Sequence, residues 1–176
     1  DADAAYWDLA RDQYSAMTAM TGHQSAARVI DTVARGEATV GILPVPEHGE
    51  PGPWWPHLAS NDEAAPRIVA RLPFAGPVNG RAGDLSALVI GRLAVEATGD
   101  DRTYIVIDAG EEITMARLAS VLAESGLEAE FATTWQKEQA LGAWLYLADV
   151  EGFVAADDRR LSRLVEGFDG AVNRTL

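Results

Sequence analysis

Glu47 and His48, just beyond an apolar run, are the first residues whose types could do chemistry together. A carboxylate beside an imidazole can work as an acid–base pair when a strand end presents both to a substrate. Their neighbours Pro46, Gly49 and Glu50 favour a solvated loop instead. Ser25 precedes a helical pattern, where a hydroxyl can cap the first turn and an anion can also be held; capping alone accounts for it. Residues 108–112 (DAGEE) gather three acids that could hold a cation, and acids at a helix start account for them as well. The three histidines, His23, His48 and His57, share no metal-ligand spacing, and no cysteine joins them. No zinc site and no thiolate nucleophile is therefore expected. A glycine-rich phosphate loop and a nucleophile elbow are both absent. Trp135 and Trp144 flank one predicted hairpin and suggest packing on a partner surface or on the rest of the chain. The residues themselves thus assign no catalytic, cofactor or metal site. They leave Ser25, Glu47 and His48 as a ligand-contacting remnant and Trp135 and Trp144 as dimer contacts.

The elements that would position these residues follow from periodicity. Residues 25–35 read as an amphipathic helix with Ala26, Ile30, Val33 and Ala34 inward and Gly36 as its stop. Residues 39–43 form a short apolar strand that ends at Pro44. A strand apolar on both faces, reached from a helix, suggests an α/β layer, and in parallel layers ligands sit beyond the carboxyl ends of the strands. That rule points to residues 44–52. Residues 4–14 read as a weak helix and 17–20 as a brief strand. Residues 47–66 are rich in Pro, Gly, Asn and Asp and read as a long loop, with Trp54 and Trp55 as exposed residues that could form a lid and one helical turn over 56–59. Strands are expected over 67–74 and 85–93, with a turn over 76–83 between them.

After a polar stretch at 96–101 the pattern changes. A strand at 102–108 is followed by a helix at 112–125, with Met115, Leu118, Ala119 and Leu122 inward. Strands at 128–135 and 140–150 join through a turn at 136–139. A second helix spans 157–168, with Leu161, Leu164 and Val165 inward, and residues 171–176 begin another strand. The order βαββα plus a last β is the split-βαβ, ferredoxin-like arrangement. Two domains are expected, 1–98 and 99–176.

Composition bounds the function. The chain has 176 residues, 48% of them hydrophobic, with 27 acidic against 14 basic residues and a net charge of −13. That charge argues against nucleic acid or an anionic membrane as partner, since both need a basic face. No stretch approaches the roughly 20 apolar residues of a membrane span, and no signal peptide is visible, so a cytoplasmic protein is expected. The chain opens on Asp1 without Met, so trimming is expected.

Three stretches together resemble prephenate dehydratase. Residues 33–46 (VARGEATVGILPVP) are similar to the family's AV-x-x-GEADYGVVPIENS segment, and residues 88–92 (LVIGR) to the end of its TRFLVIG segment. The βαββα unit resembles the ACT regulatory domain of the same enzymes, with YLADVEGF at 146–153 matching FFVDFEGH. The resemblance implies a fold of mixed α/β class: a truncated periplasmic-binding-protein-like lobe followed by a ferredoxin-like βαββαβ ACT-type domain. It also implies an aromatic amino acid or shikimate-pathway metabolite as ligand, and pairing of ACT domains into a homodimer through an open sheet face and edges.

The departures bear on activity. The family's second lobe is missing between the strands at 67–74 and 85–93. Its Glu-Asn-Ser falls on Pro46, Glu47 and His48, and its Thr-Arg-Phe on Leu85, Ser86 and Ala87. The family's Pro-Gly-Ala-Leu effector turn falls near residues 112–115, without glycine, and its Glu-Ser-Arg near Thr133, Thr134 and Trp135. The family's first strand is expected to precede Asp1 and its last ACT strand to continue past Leu176; in similar bacterial chains a fused chorismate mutase domain precedes this region. The expectation is a non-catalytic ligand-binding, regulatory or dimerisation region with no cofactor. The alternative is part of an active chorismate mutase or prephenate dehydratase chain.

Overall fold

The structure, a computed structural model, describes residues 2–15, 17–59, 65–74, 85–136, 144–168 and 172–175. The turn expected at 76–83 lies outside the described residues, as do 137–143, with most of the second expected turn and the start of the strand after it. The chain divides into two compact units, Asp1–Pro46 with Ser60–Val95, and Glu47–Ala59 with Glu96–Leu176.

The first unit holds helices α1 (Ala2–Tyr14) and α2 (Ala26–Ala34) and strands β1 (Val40–Pro44), β2 (Arg67–Leu72) and β3 (Ala87–Gly91). The sheet order is β1-β3-β2 and both pairings are antiparallel. Because side chains alternate along a strand, Val40 and Ile42 of β1 meet Ala87 and Val89 of β3, Leu72 and Leu9 of α1 in one cluster. The other face receives α2. There a methyl group added at Gly41 would lie 2.5 Å from Val29 Cγ1 and 3.1 Å from Val33 Cγ2, so only glycine lets the helix approach this closely. Gly36 ends α2 at φ +72°, the left-handed stop its position suggests. Residues 17–20 form no strand, and Met17 is 92% exposed, because that stretch has no partner edge. The antiparallel pairing also removes the parallel-layer argument for residues 44–52. Neighbouring strands run in opposite directions, so their carboxyl ends do not share one edge.

The second unit holds β4 (Arg102–Ala109), α3 (Met115–Glu124), β5 (Ala129–Gln136), β6 (Trp144–Glu151), α4 (Arg159–Gly167) and β7 (Val172–Thr175). The sheet is antiparallel with order β5-β6-β4-β7, so the expected βαββαβ sequence of elements is present. Both helices lie on one face. Leu118, Val121 and Leu122 of α3 and Leu161 and Leu164 of α4 share a core with Ile105, Ile107, Tyr146, Ala148 and Val150. Met115 and Ala119, expected inward, are exposed and Val121 is buried instead. The helix begins at Met115, with Thr114 capping it, three residues later than expected, so its inward stripe runs through 118, 121 and 122.

The face of the sheet away from the helices is buried as well. Tyr104, Val106, Leu145 and Leu147, all on that face by register, are 4% exposed or less. The segment Glu47–Ala59 belongs to this unit. His48 lies against Phe131 with ring centroids 4.4 Å apart, and Phe131 pairs with Asp149 on the same face. Trp54 and Trp55 are buried, 3% and 1% exposed, and a short 3-10 turn covers Trp55–Leu58. Two expectations are corrected here: the tryptophans are not exposed, and the centre of the helix-free face is not open. Two adjacent indoles carry a large apolar area, and its removal from water is favourable.

Candidate functional site

A cleft of about 630 Å³ opens where β4 passes into α3. Asp108 and Ala109 come from the end of β4, Glu111, Glu112 and Ile113 from the connection, Arg117 from the first turn of α3, and Phe168 from the end of α4. The connection is held in shape by two hydrogen bonds. The Ile113 amide donates to the Tyr146 hydroxyl at 2.5 Å, and the Arg117 amide donates to Thr114 Oγ1 at 3.2 Å. Arg117 Nη2 donates to the Gly167 carbonyl at 3.0 Å, which ties the guanidinium to the end of α4, and the residue remains exposed with further donors on its fork.

The cleft thus combines a cation with the carboxylates of Glu111 and Glu112, and an apolar wall from Ile113 and Phe168, both partly buried against the core; Asp108 also lines it, but its register beside Leu145 turns its side chain to the helix-free face. Such a site suits a zwitterion: a carboxylate meets Arg117, an ammonium meets the acids, and a side chain of modest polarity meets the wall. Among the described residues no group of three histidine or acidic side chains could hold a metal ion, so the acids of residues 108–112 do not converge as a cation site would require.

The residues singled out from the sequence are placed elsewhere. Ser25 is in the first unit and caps α2, accepting from the Arg28 amide at 3.4 Å. Glu47 and His48 are in the second unit and exposed, and the His48 ring is engaged by Phe131. Close by, Glu50 Oε2 is sealed from solvent with no hydrogen-bond partner among the described residues. Burial raises the Glu50 carboxyl above its ordinary value, and the neighbouring charge of Glu47 adds to this, against a lowering backbone hydrogen bond at Glu47. Trp135 pairs with Leu145 and so lies on the helix-free face, whereas Trp144 packs against the helix-side core, although the two flank one hairpin.

Arg117 and Phe168 carry no motif and were missed. Arg117 did have a legible signal: a cation in the first turn of a helix opposes the helix dipole and calls for another reason to be there.

No protein-family model matches the chain, and no curated protein matches it. Solved structures do. A prephenate dehydratase from Arthrobacter aurescens, in complex with L-Phe, is 15% identical, with 97% of this chain and 85% of that one covered and a TM-score of 0.68. A prephenate dehydratase from Streptococcus mutans is 14% identical, with 96% and 88% covered and a TM-score of 0.64. GqqA, described as a quorum-quenching acylase, is 17% identical, with 97% and 87% covered and a TM-score of 0.63. The fold is therefore the mixed α/β fold of prephenate dehydratases, here with two small antiparallel sheets and, among the described residues, four helices. A fold that also serves a protein described as an acylase does not by itself name an activity. Among the described residues no helix is long and apolar enough to cross a membrane.

Proposed function

We propose that this chain is a non-catalytic, amino-acid-binding regulatory region related to aromatic amino-acid biosynthesis, working in the cytoplasm as a homodimer. The observation that supports the reading is the β4–α3 cleft, where Arg117, the carboxylates of Glu111 and Glu112 and the Phe168 wall match the parts of an aromatic amino acid. A structural neighbour binds L-Phe. Ferredoxin-like sheets have two edges to cover, and here the outer strands are β5 and β7. With the sheet face already covered by the same chain, pairing falls to an edge, and β5 places Trp135 beside it.

The residues at the family's catalytic positions support the loss of turnover. Expelling a hydroxide and a carboxylate from prephenate needs a proton donor at the leaving oxygen and groups that hold two carboxylates. Those positions carry Leu85, Ser86, Glu47 and His48. Ala87 is fully buried, Glu47 would repel a dianion, and His48 rests on Phe131. Incubating the chain with prephenate at neutral pH and following phenylpyruvate absorbance tests this. No product is expected; turnover lost on Glu47→Ala or His48→Ala substitution would overturn the reading. A fused chorismate mutase domain upstream is part of the same proposal, and chorismate mutase activity confined to a longer chain agrees with it.

A further inference from the structure

Gly167 is the last residue of α4. Glycine near a helix end ordinarily serves by taking a left-handed conformation. Gly167 does not: it is helical, and its φ is not positive. Inside a helix glycine is less favourable than alanine, so something else must call for it. The approach of α3 does. A methyl group added at Gly167 would lie 2.5 Å from Val121 Cγ1. Val121 has little freedom to turn aside. It is 1% exposed and packed in the helix-side core, and a valine in a helix has one strongly preferred rotamer.

Two parts of the β4–α3 cleft depend on this spot. Arg117, one turn before Val121 on α3, donates to the Gly167 carbonyl at 3.0 Å. Phe168, the residue after Gly167, lines the same cleft. The carbonyl that ties the guanidinium and the ring that forms the wall are therefore carried by one short piece of backbone, and the missing side chain lets that piece rest against α3.

We infer, on the amino-acid-binding role proposed above, that Gly167 is a positioning residue of the cleft: it sets the separation of the Arg117 guanidinium from the Phe168 ring, so that the carboxylate and the ring of one aromatic amino acid meet both. With Val121 held in place, a side chain at 167 pushes the end of α4 away from α3. The carbonyl and the ring move together, Arg117 loses its tether, and the ligand no longer engages both groups in good geometry.

Calorimetric titration of the full chain with L-phenylalanine tests this, at a temperature where circular dichroism shows each protein fully folded. Lost stability alone then leaves Kd unchanged. Gly167→Ala is expected to raise Kd by at least about tenfold, the worth of one charge-assisted hydrogen bond. Adding Val121→Ala to Gly167→Ala opens room for the new methyl and is expected to lower Kd again by at least about threefold, although it removes further core packing. An unchanged Kd in Gly167→Ala, or no recovery in the double variant, would overturn the positioning role and leave the amino-acid-binding role standing. No binding by the parent chain would overturn both. If Gly167→Ala does not fold, the double variant decides: restored folding together with L-phenylalanine binding supports the positioning role, and a double variant that is unfolded or does not bind refutes it.

Discussion

Removing the Arg102 guanidinium should unfold the second unit more easily than its place at a strand end suggests. Arg102 Nε lies 2.8 Å from Asp149 Oδ1, and Arg102 Nη1 lies 2.6 Å from Glu130 Oε2. The three side chains are 28%, 8% and 67% exposed for Arg102, Asp149 and Glu130. The Glu130 arm is therefore a surface contact, worth about 0–1 kcal/mol. The Asp149 arm differs, because without Arg102 a nearly buried carboxylate is left unpaired. Breaking a fully buried pair costs about 3–5 kcal/mol; water reaches Arg102, so Arg102→Met is expected to cost about 2–3 kcal/mol, scaled down from that range. Asp149→Leu in the Arg102→Met background removes the stranded charge and is expected to recover most of the loss, since apolar replacement of a buried pair is often neutral or better. Urea unfolding at pH 7, followed by circular dichroism, gives the four free energies of the cycle. A cost under about 0.5 kcal/mol for Arg102→Met, or no recovery in the double variant, would refute the argument from burial.

Glu50→Gln should stabilise the chain at neutral pH. The folded-state pKa of Glu50 is raised above its ordinary 4.5 by burial and by Glu47, so the native state holds the proton more tightly. Its contribution is present in acid and is lost as pH rises from the unfolded value through the folded one; the stability difference between variant and parent should grow over that range, and a flat difference in urea titrations would contradict it. Ser25→Ala should cost about 1 kcal/mol through the lost α2 cap, with no change in ligand binding; an affinity change measured by calorimetry would restore Ser25 as a ligand contact. Gly41→Ala should cost about 1–3 kcal/mol by overpacking, because its methyl would lie 2.5 Å from Val29 Cγ1; a neutral substitution in thermal unfolding would show that α2 is not seated on β1 as described.

Local periodicity made most of the elements legible. The stripe of Ile30 and Val33, the Gly36 stop and the apolar run within 102–108 each depend on nearby residues, and the structure carries α2 and β4 close to the expected bounds. The start of α3 was misplaced because Glu112 resembles a first-turn acid, whereas Thr114 provides the cap. The larger misses are long-range. Trp54 and Trp55 sit in a loop by composition, yet both are buried in the folded chain, which their local sequence does not announce. The site suffered in the same way. Glu47 and His48 are adjacent in sequence and drew notice, while Glu111, Arg117 and Phe168 line one cleft only once the chain has folded. The antiparallel order of the first sheet was also out of reach, since strand direction depends on connections that the apolar pattern does not encode.

The most direct test of the proposed binding role is the thermal midpoint of the full chain with and without L-phenylalanine, compared with Arg117→Ala. A ligand that binds only the native state at a hundredfold excess over its Kd adds about 2.7 kcal/mol. For a chain of this length that corresponds to a rise of about 5–10 °C. The account predicts such a rise in the parent and a much smaller one in Arg117→Ala, which loses the group that faces the ligand carboxylate. No rise at millimolar L-phenylalanine, or an equal rise in both proteins, would contradict it.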